Sequence, residues 1–243
     1  MNRLFCGNVL EVLPTLERHT CLIADPFDNI GLNYSEYNDK MTPDEYRAFM
    51  AECLDLFVQK ASVVWISYNA RWTFMMGSLV EDILDQYPDY EAKPFTQTFS
   101  FGQNNKRDCG NGHRPIVRLK TREAPLYPDA IKVPSWRQLN GDKRAAPGGR
   151  VPLDAWDDFP RITGNCKERR PHHPTQIREG MVKRMVDLST QPGDTVLDCF
   201  SGTGTVLRAV KDRHITSIEL DRGYCDKIAE EHGLSVMKAW PAS

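Results

Sequence analysis

The chain has 243 residues, 40% of them hydrophobic, and a formal net charge of −2, enough for one large α/β domain with a substantial core. Its seven cysteines (6, 21, 53, 109, 166, 199 and 225) are odd in number, scattered and without a Cys-x-x-Cys pair, which argues against a disulfide framework or zinc site and for a reducing compartment. No apolar run nears the length of a membrane span, and Met1 to Leu10 lacks the apolar stretch of a secretory leader; a cytoplasmic protein without a membrane partner is expected.

The small net charge hides an asymmetry. Between Asn105 and Arg178 there are 16 Lys and Arg against 8 Asp and Glu, a balance of +8, leaving 15 against 25 elsewhere. A basic block is often only a solvated surface. Placed in a loop-rich insert of an otherwise acidic chain, it also suits the grip of a phosphate backbone.

In chain order, Arg3 to Cys6 predicts a short strand, Val9 to Leu16 a short helix and Thr20 to Ala24 a strand. That strand runs straight into Asp25-Pro26-Phe27-Asp28. An acid at the open end of a buried parallel strand is where α/β sheets place their chemistry. Proline lacks an N–H and keeps the preceding residue extended, so the Asp25 carboxylate and the Pro26 carbonyl form two acceptors suited to an amino group with two hydrogens. Taken alone, Asp-Pro is also how an ordinary strand enters a turn.

Thr42-Pro43-Asp44-Glu45 opens a long helix, with an N-cap threonine, proline at the first helical position and glutamate at the third. Tyr46, Phe49, Met50, Cys53, Leu54 and Phe57 follow at helical spacing as a core stripe. Ser62 to Ser67 predicts a buried strand, Trp72 to Tyr87 a helix, and Phe95 to Phe101 and Pro115 to Leu119 further strands. From Lys120 to His173 periodicity fails, over a length too great for an idle loop. Order returns with a helix from Thr175 to about Ser189, a turn at Gln191 to Asp194, a strand at Thr195 to Cys199, a helix from about Thr205 to Arg213, a strand at Ile215 to Glu219 and a last helix from Tyr224.

Val196-Leu197-Asp198-Cys199-Phe200-Ser201-Gly202-Thr203-Gly204-Thr205 reads as a strand, a glycine turn and a helix start, which lets a ligand approach the backbone. A dinucleotide fingerprint needs a third glycine where this chain has Val206 and Leu207. Glu219 ends the next strand, where a carboxylate can accept both hydroxyls of a ribose. Together these features describe a pocket for a nucleoside without a pyrophosphate.

At these residues the chain resembles the amino-group (N6-adenine/N4-cytosine) DNA methyltransferases. Asp198-Cys199-Phe200-Ser201-Gly202-Thr203-Gly204 is similar to their S-adenosylmethionine loop, and Asp25-Pro26 to the start of their Asp-Pro-Pro-Tyr catalytic motif. The catalytic motif precedes the cofactor loop, which resembles the permuted, beta-type order. Trp156-Asp157-Asp158-Phe159-Pro160-Arg161 and Arg170-Pro171-His172-His173-Pro174-Thr175-Gln176 are similar to the stretch leading into the cofactor-binding helix.

The resemblance implies a Rossmann-like, S-adenosylmethionine-dependent methyltransferase fold with a mainly parallel sheet. Its catalytic half would span 1–119, an inserted basic target-recognition region 120–170, and the cofactor-binding half 171–243. It further implies that Gly202 and Gly204 pass under the methionine part of the cofactor, that Glu219 holds the ribose, and that Thr175 and Gln176 seat the amino-acid end. Asp25, Asp198, Phe200, Ser201, Thr203, Thr205 and Leu220 complete the expected cofactor site. Cys6-Gly7-Asn8 stands where the family has Gly-Asp, so Asn8 takes the adenine contact with an amide in place of an acid. His172 and His173 suggest metal ligands by type, but no metal is needed in this chemistry.

For catalysis, Asp25 and the Pro26 carbonyl would accept both hydrogens of an exocyclic base amine and expose its lone pair to the sulfonium methyl. The base must leave the duplex to reach them. The sequence departs from the family here: the second proline is Phe27, and the aromatic that stacks on the extruded base is Asp28, while Asn29-Ile30-Gly31-Leu32-Asn33-Tyr34 keeps the register. Stacking would come from Phe27, Tyr34, Tyr37, Tyr68 or Trp72, with Asp28 either reading a base edge or facing solvent. By resemblance, Asp at the first motif position favours adenine N6 over cytosine N4. Arg114, Arg118, Arg122, Lys132, Arg137, Lys143, Arg144 and Arg150 would bind DNA. Methylation of RNA or an unusual base, a catalytically inactive DNA-binding relative, and pairing into a homodimer complete the expectations.

Overall fold

The computed structural model describes residues 1–32, 39–100, 106–145, 147–164, 166–170, 173 and 175–238. Within them, β1 (Arg3–Cys6), β2 (His19–Ala24), β3 (Ala61–Ser67), β4 (Tyr90–Thr98), β5 (His113–Thr121), β6 (Ala155–Trp156), β7 (Thr195–Asp198), β8 (His214–Glu219) and β9 (Val236–Lys238) form one sheet. Its order is β6-β4-β5-β3-β2-β7-β8-β1-β9. All neighbours pair parallel except β5, which runs antiparallel to both β3 and β4.

Central strands of such a sheet are buried on both faces and read as continuous apolar runs. On β3, Val64 and Ile66 enter one core cluster while Val63 and Trp65 enter the other. The first cluster packs α1 (Val9–Val12), α2 (Pro43–Lys60) and α3 (Thr73–Gln86) on one face; the second packs α5 (Glu179–Ser189), α6 (Thr205–Ala209) and part of α7 (Arg222–His232) on the other. The short α4 (Trp136–Leu139) lies in the basic insert. The expected capping box holds: Glu45 N–H donates to Thr42 Oγ1 at 3.3 Å, and Thr42 N–H to Glu45 Oε2 at 2.8 Å. Among the described residues, no helix is long and apolar enough to cross a membrane.

Several boundaries move for local reasons. The helix expected from Thr175 begins at Glu179, behind an extended Arg178. The helix expected to reach Arg213 stops at Ala209, where Val210 is extended, and the Arg213 guanidinium turns inward onto the Thr190 carbonyl at 3.0 Å and Asp187 at 3.3 Å. β4 starts at Tyr90 and pairs along its whole length with β5, from Tyr90 opposite Thr121 to Thr98 opposite His113. Phe101, the expected end of that strand, lies outside the described residues.

The insert is not a separate lobe at its far end. Ala155 and Trp156 join the sheet edge beside Thr96 and Gln97. Trp156 is 2% exposed, with its ring 5.3 Å from Phe95 and 6.0 Å from Trp65. Sequence patterning missed β6 because two residues carry no periodicity.

Candidate active site

β2 and β7 are parallel neighbours, with Ile23 opposite Asp198 and Cys199 N–H donating to the Ile23 carbonyl at 3.1 Å. From β2 the chain goes on to β3 on one side; from β7 it goes on to β8 on the other. Such a reversal opens a crevice at the carboxyl ends of the strands, where ligands bind. Asp25 and the glycine loop both emerge into it.

One cavity of about 200 Å³ lies over the loop and is lined by Asn8, Asp25, Thr175, Gln176, Asp198, Phe200, Ser201, Gly202, Thr203, Thr205, Glu219 and Leu220. The fold therefore gathers every expected cofactor residue except Gly204 around one space. Gly204 lies just behind, at φ +76°, where it starts α6. Glu219 Oε2 accepts the Gly202 N–H at 2.7 Å and Oε1 the Asp221 N–H at 2.8 Å, so the acid also shapes the loop. Burial pushes both Glu219 and Asp198 up to about 7.

The fit of a cationic nucleoside can be tested on the donor set. Among the described residues, Asp198 Oδ2 is buried without a hydrogen-bond partner, and so is Oδ1 of Asp39, which lines the same cavity. An orphaned carboxylate oxygen is costly unless a ligand completes it, and S-adenosylmethionine carries an ammonium and a sulfonium. The residues fit the cofactor. Two expected contacts are already engaged: Asn8 Oδ1 caps α1 by accepting the Leu10 N–H at 3.1 Å, and the Gln176 amide bonds Arg170 N–H at 3.1 Å and the Glu168 carbonyl at 2.8 Å. Asp39 was invisible to motif reading, as an acid in a polar loop. His173 also lines the cavity, its Nδ1 on the Thr175 carbonyl and its ring 5.0 Å from Tyr224. His172 lies outside the described residues.

A wider cavity, about 480 Å³, adjoins the first and shares Asp25, His173, Thr175, Gln176 and Ile177 with it. Asp25 thus faces both spaces. Its Oδ1 accepts from Arg114 Nη2 at 2.7 Å; Arg114 Nη1 donates to Asp28 Oδ1 at 3.0 Å and Nε to Ser67 Oγ at 2.6 Å. Burial alone would depress the arginine, but the charges of Asp25 and Asp28 outweigh it and raise its pKa further. Asp28 is not at the surface: its side chain is 8% exposed, and its carbonyl accepts the Trp72 indole N–H at 2.8 Å.

Two of the arginines expected at DNA have partners within the fold. Arg114 bonds Asp25, Asp28 and Ser67 and also lines the wider cavity. Arg118 is 7% exposed, its guanidinium 5.5 Å from the ring centres of both Trp65 and Phe95, where burial lowers its pKa. Both fall on β5, where six consecutive residues are buried; the sequence showed a basic strand but not that both its faces are covered. Arg122, Lys132, Arg137, Lys143, Arg144 and Arg150 are exposed. Lys132 pairs with Asp129 at 2.6 Å and Arg144 with Asp142 at 2.8 Å, while Arg137 and Lys143 have no ion pair among the described residues. Arg161 and Arg169, which motif reading passed over, line the wider cavity without a carboxylate partner among the described residues.

The aromatic candidates also sort. Phe27 packs into the core 5.4 Å from Tyr46 and 5.3 Å from Phe49; Tyr68 and Trp72 are buried away from the wider cavity. Tyr34 and Tyr37 lie outside the described residues. Phe99 lines the wider cavity and carries the Arg161 guanidinium 6.0 Å from its ring centre.

The same fold occurs in the cytosine-N4-specific PvuII DNA methyltransferase, with a TM-score of 0.70 at 12% identity over 93% of this chain and 84% of that one. It occurs too in TTHA0409 of Thermus thermophilus complexed with S-adenosyl-L-methionine, with a TM-score of 0.62 at 16% identity over the whole of both chains. The fold is that of these methyltransferase structures. The family model for N6/N4 methyltransferases, described as DNA methylase, matches residues 19–231, and the chain belongs to that family. Among relatives, M.ScaI of Streptomyces caespitosus is 32% identical over 92% of this chain and 78% of its own. M.HpaI of Haemophilus parainfluenzae is 26% identical over 90% and 69%. The chain is an S-adenosylmethionine-dependent DNA methyltransferase acting on a base amino group.

Proposed function

We propose that the chain transfers a methyl group to adenine N6 of an extruded base in a specific DNA site, with cytosine N4 as the alternative target. The supporting observation is that Asp25 lines both cavities, one fitted to the cofactor and one open to a base. The cofactor supplies the sulfonium methyl. The Pro26 carbonyl and the free Asp25 oxygen accept the amine hydrogens, which turns the nitrogen lone pair toward the methyl group. Bound there, the cofactor would give its methyl group to the amine nitrogen and keep the C–S electron pair, while Asp25 or water takes the amine proton. Asp198 and Asp39 hold the cationic end of the cofactor and Glu219 its ribose.

Phe99 takes the base-stacking role that position 28 lacks, and Arg161 and Arg169 hold the phosphates flanking the extruded nucleotide. The exposed Arg137 and Lys143 of the insert reach along the duplex, and two copies pair as the family resemblance implies. Expression in a host without DNA methylation of its own, followed by nucleoside mass spectrometry, tests the reading. N6-methyladenine in DNA supports it, and N4-methylcytosine supports the alternative. A methylated nucleoside found only in RNA, or none despite measured cofactor binding, overturns both.

A further inference from the structure

The aspartate that replaces the family's aromatic does not stand alone. It shares one guanidinium with the catalytic carboxylate. Arg114 reaches from β5 across β3, where Ser67 Oγ accepts from its Nε at 2.6 Å, and divides its two terminal nitrogens between Asp25 Oδ1 at 2.7 Å and Asp28 Oδ1 at 3.0 Å. All three donors point in fixed directions because the guanidinium is planar. Among the described residues nothing bonds Asp25 Oδ2, which leaves that oxygen as the acceptor for substrate.

We propose that Arg114 is a positioning residue for methyl transfer, which fixes the rotation of Asp25 so that one oxygen is left for the substrate amine, and that Asp28 competes for the same cation and so limits how strongly Arg114 holds the catalytic acid. This rests on the function proposed above. A carboxylate bound to a full guanidinium is a weakened acceptor; one that shares it with a second carboxylate keeps more electron density for the amine hydrogens. Asp28 is thus a tuning element beside the catalytic acid.

The two neighbours act on Asp25 in opposite directions. Loss of the Arg114 charge makes ionisation of Asp25 harder; loss of the Asp28 charge removes a like charge and frees Arg114 for Asp25 alone. Among the described residues, the other titratable and charged groups on these cavities are Asp39, Asp198, Cys199, Glu219 and His173 in the first, His113, Arg161, Arg169, Arg170 and Arg178 in the wider one, and Tyr46 on α2 beside them. All of these are unchanged in both variants, so the difference between the variants isolates the triad.

The test is the pH dependence of the single-turnover methyl-transfer rate on a duplex substrate, with cofactor saturating at every pH so that Asp198 and Glu219 enter through binding and not through the rate. Arg114→Gln is expected to move the acid limb upward by about one pH unit or more, and Asp28→Asn to move it downward, with Arg114→Lys restoring the wild-type limb at a reduced rate. If Arg114→Gln does not fold, Asp28→Asn alone decides, and a limb that does not move downward in it overturns the proposal. Limbs that stay at the wild-type position in Asp28→Asn and in the arginine variant, or that move the same way, overturn the proposal. Wild-type protein that binds cofactor but methylates no duplex, in contrast, overturns the proposed function and leaves the triad geometry intact.

Discussion

Gly202 and His173 stand so close that a Cβ built on the glycine would lie 2.9 Å from the imidazole Nε2, with the glycine at φ +51°. The glycine loop and the segment before α5 therefore close on each other over the cofactor cavity, and the absence of one methyl group keeps the space between them open.

Gly202→Val is expected to lower cofactor affinity at least about tenfold, since a branched side chain both meets His173 and strains a left-handed backbone position. Calorimetric titration with S-adenosylmethionine reads the affinity, and circular dichroism confirms that the sheet has formed. Affinity within twofold of the parent would contradict the placement of the loop.

Asp25→Ala is expected to reduce methyl transfer by about 10² to 10³ or more, the usual cost of deleting a preorganised group at the reacting centre. Cofactor affinity should change little, because Asp198, Asp39 and Glu219 remain. Arg114 keeps Asp28 as a partner, so the variant should fold. Near-normal single-turnover rates would refute the role of Asp25.

Burial holds Asp198 and Glu219 up to about 7, from ordinary values of 3.8 and 4.5. For a carboxylate raised in this way, the folded state takes up protons that the unfolded chain has lost. Its favourable contribution to stability is full below the ordinary value and disappears as pH rises through about 7. A cationic ligand favours the ionised form and drives the proton off. Cofactor affinity should therefore climb as pH rises to about 7, by up to about tenfold per pH unit, and level off above it. Asp198→Asn should weaken binding and flatten the slope; an unchanged slope would show that Asp198 does not face the cofactor charge.

Trp156→Ala should cost about 3–5 kcal/mol, the range for emptying a buried aromatic site. The indole fills the space between Phe95, Trp65 and Phe159 and lies 5.4 Å from the Arg184 guanidinium. Denaturant unfolding measures the loss. A change below about 1 kcal/mol would mean that the insert docks on the sheet only loosely.

The architecture was legible wherever one residue type had one physical use. The capping box at Thr42, the apolar run of β3 and the glycine turn at Gly202 each admit a single local solution, and the structure has them. The crevice followed from the order of strands and acids. Contacts between distant segments were not legible: Arg114 and Asp28 are 86 positions apart, and nothing in either neighbourhood announces the other. β5 shows the limit clearly. Its arginines read as a basic surface, yet Arg114 reaches Asp25 and Asp28 and Arg118 lies against Trp65 and Phe95, partners supplied by distant segments.

β1 lies between β8 and β9, with Leu4 opposite both Ser217 and Val236. The N-terminal strand is thus stitched into the cofactor half, across more than two hundred residues of chain. During synthesis the catalytic acid is made early, but the floor and walls of the donor pocket cannot close until the ribosome has passed Glu219. A polypeptide cut before Glu219 would keep Asp25 and lose the glycine loop's partner strand, so the two halves of the crevice depend on one unbroken chain.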